Sequence, residues 1–280
     1  MHATAPGTPT RPAATRVGET EPLGPVPPHR LERILMNQDW RDLTYVHWAV
    51  PATRVAPLLP PGVRPDEHDG ATYVGLVPFR MVDAGPGRRS SVPWLGTFLE
   101  TNVRLYTVDR DGRRGVLFRS LDCERLAVVA GARLGFAVPY RWSRMRHDVL
   151  HTSAGEVHTY ASRLRAPRRA ASSVLTVRVG APREATPLDL FLSARWRLHT
   201  RMLGATLRVP NEHGVWPLHD AEVLELRDEL LASVGFDDLA GRTPDHVAFS
   251  PGVHTRFGLP ERVGAQGASR STSQVSPERR

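Results

Sequence analysis

The chain has 280 residues, 40% of them apolar, which is enough to bury a sizeable core, and its formal net charge is +8. All 37 basic residues are arginines. The absence of lysine excludes imine formation on a side chain, pyridoxal-phosphate enzymes and P-loop NTPases, and the single cysteine, Cys123, excludes an internal disulfide.

Residues 1–29 are rich in Pro, Thr, Ala and Gly without periodicity, and residues 263–280 are equally polar, so both are expected to be disordered tails around one domain spanning 30–262. No apolar h-region follows Met1 and no apolar run reaches the roughly 18 residues of a membrane helix, so a cytoplasmic address without membrane association is expected. A short helix is predicted from Pro51 through "PATRVAPLL". Strands are predicted over 71–81, 101–108 and 115–121, with "DRDGRRG" as the turn between the last two. Asp122 stands where it would cap a helix running to about Leu134. Further strands follow over 155–165 and 172–180. The best-marked helix opens with Thr186 as N-cap, Pro187 in the first position and Asp189 in the first turn, and puts Leu188, Phe191, Leu192 and Trp196 on one face. "DAEVLELRDELLASVGF" fits strand or helix in its first half, and Gly235 reads as its stop. These elements predict an α+β, mostly β fold: an antiparallel sheet, curled or closed, with a few helices packed around it.

Alternation along "GTFLETNVRLYTV" puts Glu100, Asn102, Arg104 and Tyr106 on one face and Val103 and Leu105 on the other. On an open sheet the polar row would face water; inside a closed barrel it would line a cavity. His213 and His219 read as loop or surface residues, and His151 and His158 should point to opposite faces, so no metal is expected. No cofactor fingerprint occurs. Nine arginines against Asp148 and Glu156 between Arg141 and Arg183 hold nearly the whole charge excess. They raise the reading of a nucleic-acid surface, but no reader motif or interleaved aromatics accompany them. Cys123 reads as a small buried residue, and "WPL" at 216–218 as packing.

The ordered series "RDLTYVHWAVP", "LLPPGVRPD", "YVGLVPFRM", "LETNVRLYT", "GVLFRSLD", "ARLGFAVPY" and "WPL" resembles the YqjF-like family of the acetoacetate decarboxylase superfamily, over about Gln38 to Pro260. The resemblance implies an antiparallel closed barrel, cone-like, around a small internal cavity, with a few peripheral helices. Acetoacetate decarboxylase uses a lysine activated by a cationic neighbour, and the two lysines follow a proline. Here Tyr140 and Arg141 follow Pro139 instead, so the resemblance implies an inherited position without the imine chemistry. It further implies that Glu100 is the active-site glutamate and Arg41 the arginine that holds the substrate carboxylate.

Two functions follow as expectations. One is an enzyme for a small carboxylic or oxo acid, of lyase, hydratase or isomerase type: Glu100 and Tyr140 move a proton, Arg41 and Arg141 hold the anion, and Asn102, Arg104, His47 and Arg133 complete the pocket. It needs no cofactor. The other is a non-catalytic protein that binds a small anion in the same pocket.

Overall fold

The computed structural model describes residues 19–136, 138–165 and 170–264, with the side chains of 132–136 outside the description. One sheet holds thirteen strands. A long β1 (Ile34–Val50) is followed by the helical turn α1 (Ala52–Val55), a short β2 (Val63–Pro65), β3 (Thr72–Pro86), β4 (Phe98–Asp109) and β5 (Arg114–Cys123). After helix α2 (Leu126–Phe136) come β6 (Tyr140–Thr152), β7 (Gly155–Leu164) and β8 (Ser172–Arg183), then helix α3 (Pro187–Ser193). The chain closes with β9 (Arg197–Met202), β10 (Ala205–His213), β11 (Leu218–Asp228), the turn α4 (Leu230–Ser233), β12 (His246–Gly258) and β13 (Glu261–Arg262). The ambiguous segment is therefore strand and then helix, and Gly235, at φ 100°, ends it.

The sheet closes on itself twice. Five strands in the order β12, β1, β3, β4, β5 form a common wall. From β5 one circuit returns to β12 through β6, β7, β8 and β11, and the other through β9 and β10. The pairing is antiparallel as expected except at two short seams, where Leu121–Cys123 of β5 runs parallel with Tyr140–Trp142 and Val116 with Leu198. These seams are what allow β5 to feed both circuits from a single edge.

β4 lies in the common wall and is buried along nearly its whole length. Its apolar face, with Val103 and Leu105, packs with Val46, Trp48, Leu175, Val177, Leu230 and Phe236 into the largest apolar cluster. Its polar face turns the other way, into a cavity. The even residues 98–104 share that face, as alternation requires.

Two helix expectations separate. At α3, Thr186 accepts from the Asp189 N–H and the Asp189 carboxylate accepts from the Thr186 N–H, a complete capping box. Thr186→Ala should cost about 1–2 kcal/mol, read as a lower urea midpoint at unchanged slope. The helix ends at Ser193 rather than extending to Trp196, because the Arg195 guanidinium folds back and donates to the Phe191 carbonyl at 2.5 Å. At α2, Asp122 is not the cap: it is still in β5, its carboxylate taken by Arg141 and Ser143, and the helix starts at Leu126. Part of the stretch expected as an N-terminal tail is docked. Glu21 is buried, its N–H donates to the Gly112 carbonyl and its carboxylate pairs with Arg197 at 2.6 Å.

Candidate functional site

The cavity has a volume of about 530 Å³ and is walled by β1, β3, β4, β5, β9, β10 and β12, with α2 and Tyr140 at one end and Arg195 at the other. Most of the wall is apolar. Glu100, Asn102, Arg104 and Tyr140 all face it.

The seam between β5 and β6 brings the first pair together. Leu121 is paired with Asn102 on one side and Tyr140 on the other, so Tyr140 lies across β5 from the polar row. Its hydroxyl donates to the Glu100 carboxylate at 2.7 Å. Burial pushes the Glu100 carboxyl up to about 7, against hydrogen bonds from Tyr140 and Asn102 that favour the ionised form. Burial, reinforced by the neighbouring Glu100, also pushes the Tyr140 phenol well above its usual range, so it stays a neutral donor. This is an acid–base pair with one member poised near neutrality.

Arg104 supplies charge farther along β4. Its Nε donates to the Tyr106 hydroxyl at 2.9 Å and one Nη to the Leu192 carbonyl at 2.9 Å. Among the described residues no carboxylate stands within ion-pairing distance of it, and it is buried. A buried guanidinium without a counter-ion is costly unless something anionic meets it. Arg195 lies beside it in the wall. Its carboxylate partner, Asp66, at 2.5 Å, is shared with Arg114, and one Nη of Arg195 is buried without a partner.

A chain of hydrogen bonds holds Arg104 in place from behind. Tyr106 meets His47 at 2.6 Å, His47 meets His246 at 3.0 Å, and His246 meets Asp189 at 2.7 Å. Burial, then His246 and Arg104, keep His47 well below the usual imidazole range and so neutral. With Asp189 ionised, His246 donates to it from Nε2, and the Tyr106 hydroxyl accepts from Arg104 while its single proton faces two acceptors, the Leu192 carbonyl at 3.1 Å and the His47 ring. Gly75 pairs with both His47 and Arg104 on the adjoining strands, and a Cβ there would stand 2.8 Å from the His47 ring, so the close approach requires glycine.

Several expected positions are corrected. Arg41 is outside: it is exposed and pairs with Asp39 at 3.3 Å on its own strand. The reason is a bulge. Asp42 takes a left-handed φ of 53° and the pairing of β1 with β3 shifts there, so even residues Gln38 and Trp40 face the cavity before it and odd Leu43 after it. Arg141 alternates away from Tyr140 and is spent on Asp122 at 2.6 Å and the Ser233 hydroxyl at 2.7 Å. His47 does not line the cavity but acts through Tyr106 as described. The side chain of Arg133 lies outside the described residues. His213, read as a loop or surface residue, is buried in the wall, where burial lowers it to about 4. Trp216 packs as expected and lines the cavity too, its Nε1 donating to the Ser193 carbonyl. Arg195 and Asn211 were missed. The signal for Arg195 was an arginine inside "FLSARWRL", an otherwise apolar helical run.

Of two further single-residue expectations, the one for the cysteine is met and the one for the histidine pair is not. His151 and His158 do not point to opposite faces: they stand on β6 and β7, where His151 pairs with Glu156 and His158 with Val149, so the hairpin puts both on one face and each meets Glu156 at 3.3 Å. Cys123 is buried, and burial pushes its thiol up. Of the nine arginines between 141 and 183, Arg141, Arg146, Arg178 and Arg183 each pair with a carboxylate, which leaves less free charge for a phosphate backbone. Among the described residues no group of three or more His, Cys, Asp or Glu side chains is arranged to hold a metal, and no helix is long and apolar enough to cross a membrane.

The twice-closed sheet around an internal cavity is the architecture of acetoacetate decarboxylase-like proteins. Acetoacetate decarboxylase from Legionella pneumophila superposes with a TM-score of 0.56 at 13% identity, over 82% of this chain and 87% of that one. An acetoacetate decarboxylase-like enzyme from Sphingomonas wittichii RW1 gives 0.55 at 13%, over 82% and 92%. The enduracididine biosynthesis enzyme MppR, complexed with pyruvate, gives 0.53 at 13%, over 81% and 90%. Within this architecture the chain belongs to the DUF2071 family, described as an uncharacterized conserved protein, which matches residues 37–254. The uncharacterized protein YqjF of Bacillus subtilis (strain 168) is 28% identical over 190 residues, 67% of this chain and 76% of its own.

Proposed function

We propose that the cavity binds a carboxylic or oxo acid and that Glu100 and Tyr140 carry out acid–base chemistry on it without a covalent intermediate. The observation that carries this reading is the buried Glu100–Tyr140 hydrogen bond of 2.7 Å in a cavity whose wall also holds Arg104, a guanidinium with no carboxylate partner among the described residues. Glu100, at about 7, takes a proton from carbon or oxygen in its ionised form and returns it in its neutral form. Tyr140 shifts its hydrogen bond from Glu100 to the substrate oxygen on which charge develops. Arg104 and Arg195 hold the anionic group. The pyruvate bound by MppR is an oxo acid of the same chemical kind.

Turnover of an oxo acid should rise with pH through about 7, as the Glu100 base form accumulates. Tyr140→Phe should lower the rate about 100-fold while the affinity for the acid changes little. Borohydride added with substrate should trap no adduct on residues 30–262, since the chain has no lysine. A trapped adduct within that range, or full activity of the Phe variant, would overturn the acid–base reading. A protein that binds the acids through Arg104 and never turns them over would instead be a binding protein on the same pocket.

A further inference from the structure

We infer that the ligand is an elongated amphipathic carboxylic acid, with an anion at one end, an apolar chain or ring in the middle and an uncharged carbonyl or hydroxyl at the other end. The inference rests on the proposed acid–base site and adds the spacing of its two ends. Strand β4 is regular from Glu100 to Arg104, the extra residue at this point, Arg119, belonging to β5. At about 3.3 Å per residue the two Cα atoms lie roughly 13 Å apart. The Arg104 guanidinium turns still farther away, toward Tyr106 and Leu192. An acid the size of pyruvate reaches one end or the other and not both.

The chemistry of the ends assigns the ligand's groups. Arg104 has no carboxylate within ion-pairing distance among the described residues, and Arg195 adds a buried Nη with no partner, so this end takes the anion. Glu100 has no cation within ion-pairing distance among the described residues, and Arg141 is turned to Asp122. A second carboxylate there would meet like charge; a neutral oxygen meets the Tyr140 hydroxyl. Between the ends Val77 and Leu121 flank Asn102 on the adjoining strands, Phe79 stands beside Glu100 and Phe118 beside Arg104, and the Asn102 Oδ1 is a polar interruption buried without a partner. A volume of about 530 Å³ is that of a site for a drug-sized ligand rather than for a three- or four-carbon acid.

The test is calorimetric titration of the full-length protein with straight-chain saturated acids from acetate to tetradecanoate, and with decanol. Affinity should rise about fourfold for each added methylene and level off at roughly ten carbons, the length of the lumen. Decanoate should bind at least 100-fold more tightly than decanol, and Arg104→Met should remove that difference. The acid–alcohol comparison on the unaltered protein stands even if the variant does not fold. Equal binding of decanoate and decanol overturns the anionic end. If acetate and pyruvate bind as tightly as decanoate and lose affinity in Arg104→Met, the elongated ligand is overturned while the acid–base reading stands. If no acid of any length binds, the inference fails, and Tyr140→Phe kinetics judge the acid–base reading separately.

Discussion

Glu100→Gln is expected to stabilise the protein by about 3 kcal/mol at pH 8 and to leave it unchanged at pH 4, measured as thermal midpoints of both proteins across that range. The sign follows from the direction of the shift. Burial raises the folded-state carboxyl from 4.5 to about 7, so between those values the folded protein keeps a proton that the unfolded chain releases. Stability contributed by the neutral carboxyl is full below 4.5 and is lost as pH rises through 7. A glutamine accepts the Tyr140 hydrogen bond through its carbonyl and carries no charge, so it removes the loss. The variant's midpoint should exceed that of the unaltered protein by about 6 °C or more at pH 8, and the gap should close on acidification. Buried histidines such as His47 and His213 titrate in both proteins and drop out of the difference. A Gln variant destabilised at pH 8 and less so at pH 4 would mean that Glu100 is held as an anion, and would remove its role as a base tuned to neutrality.

Asp122→Asn should destabilise by about 3–5 kcal/mol, the cost of stranding a largely buried guanidinium. Asp122 is fully buried and accepts from Arg141 at 2.6 Å and from Ser143 at 2.8 Å. Pairing the change with Arg141→Met should recover most of the loss in a urea double-mutant cycle, because the unpaired charge leaves with its partner. The same double variant separates the two arginines functionally. It should bind decanoate as the unaltered protein does, whereas Arg104→Met should not. Loss of acid binding in the Asp122→Asn, Arg141→Met protein would return Arg141 to the site.

Much of the fold could be read from local pattern, because side-chain direction in a strand and the start of a helix depend on a few neighbouring residues. Alternation alone placed Glu100, Asn102 and Arg104 on one face, and the Thr186 and Asp189 spacing alone marked the start of α3. The absence of lysine by itself rules out imine chemistry on a side chain. Which arginine meets the cavity was decided only by tertiary structure. A single left-handed residue, Asp42, reverses the alternation of β1 and turns Arg41 outward, and the seam between β5 and β6 turns Tyr140 inward while Arg141 goes to Asp122. His47 and His246 lie 199 residues apart and share a hydrogen bond only because β1 and β12 are neighbours in the sheet. Periodicity specifies the face on which a side chain emerges; the strand order and its bulges specify what that face meets.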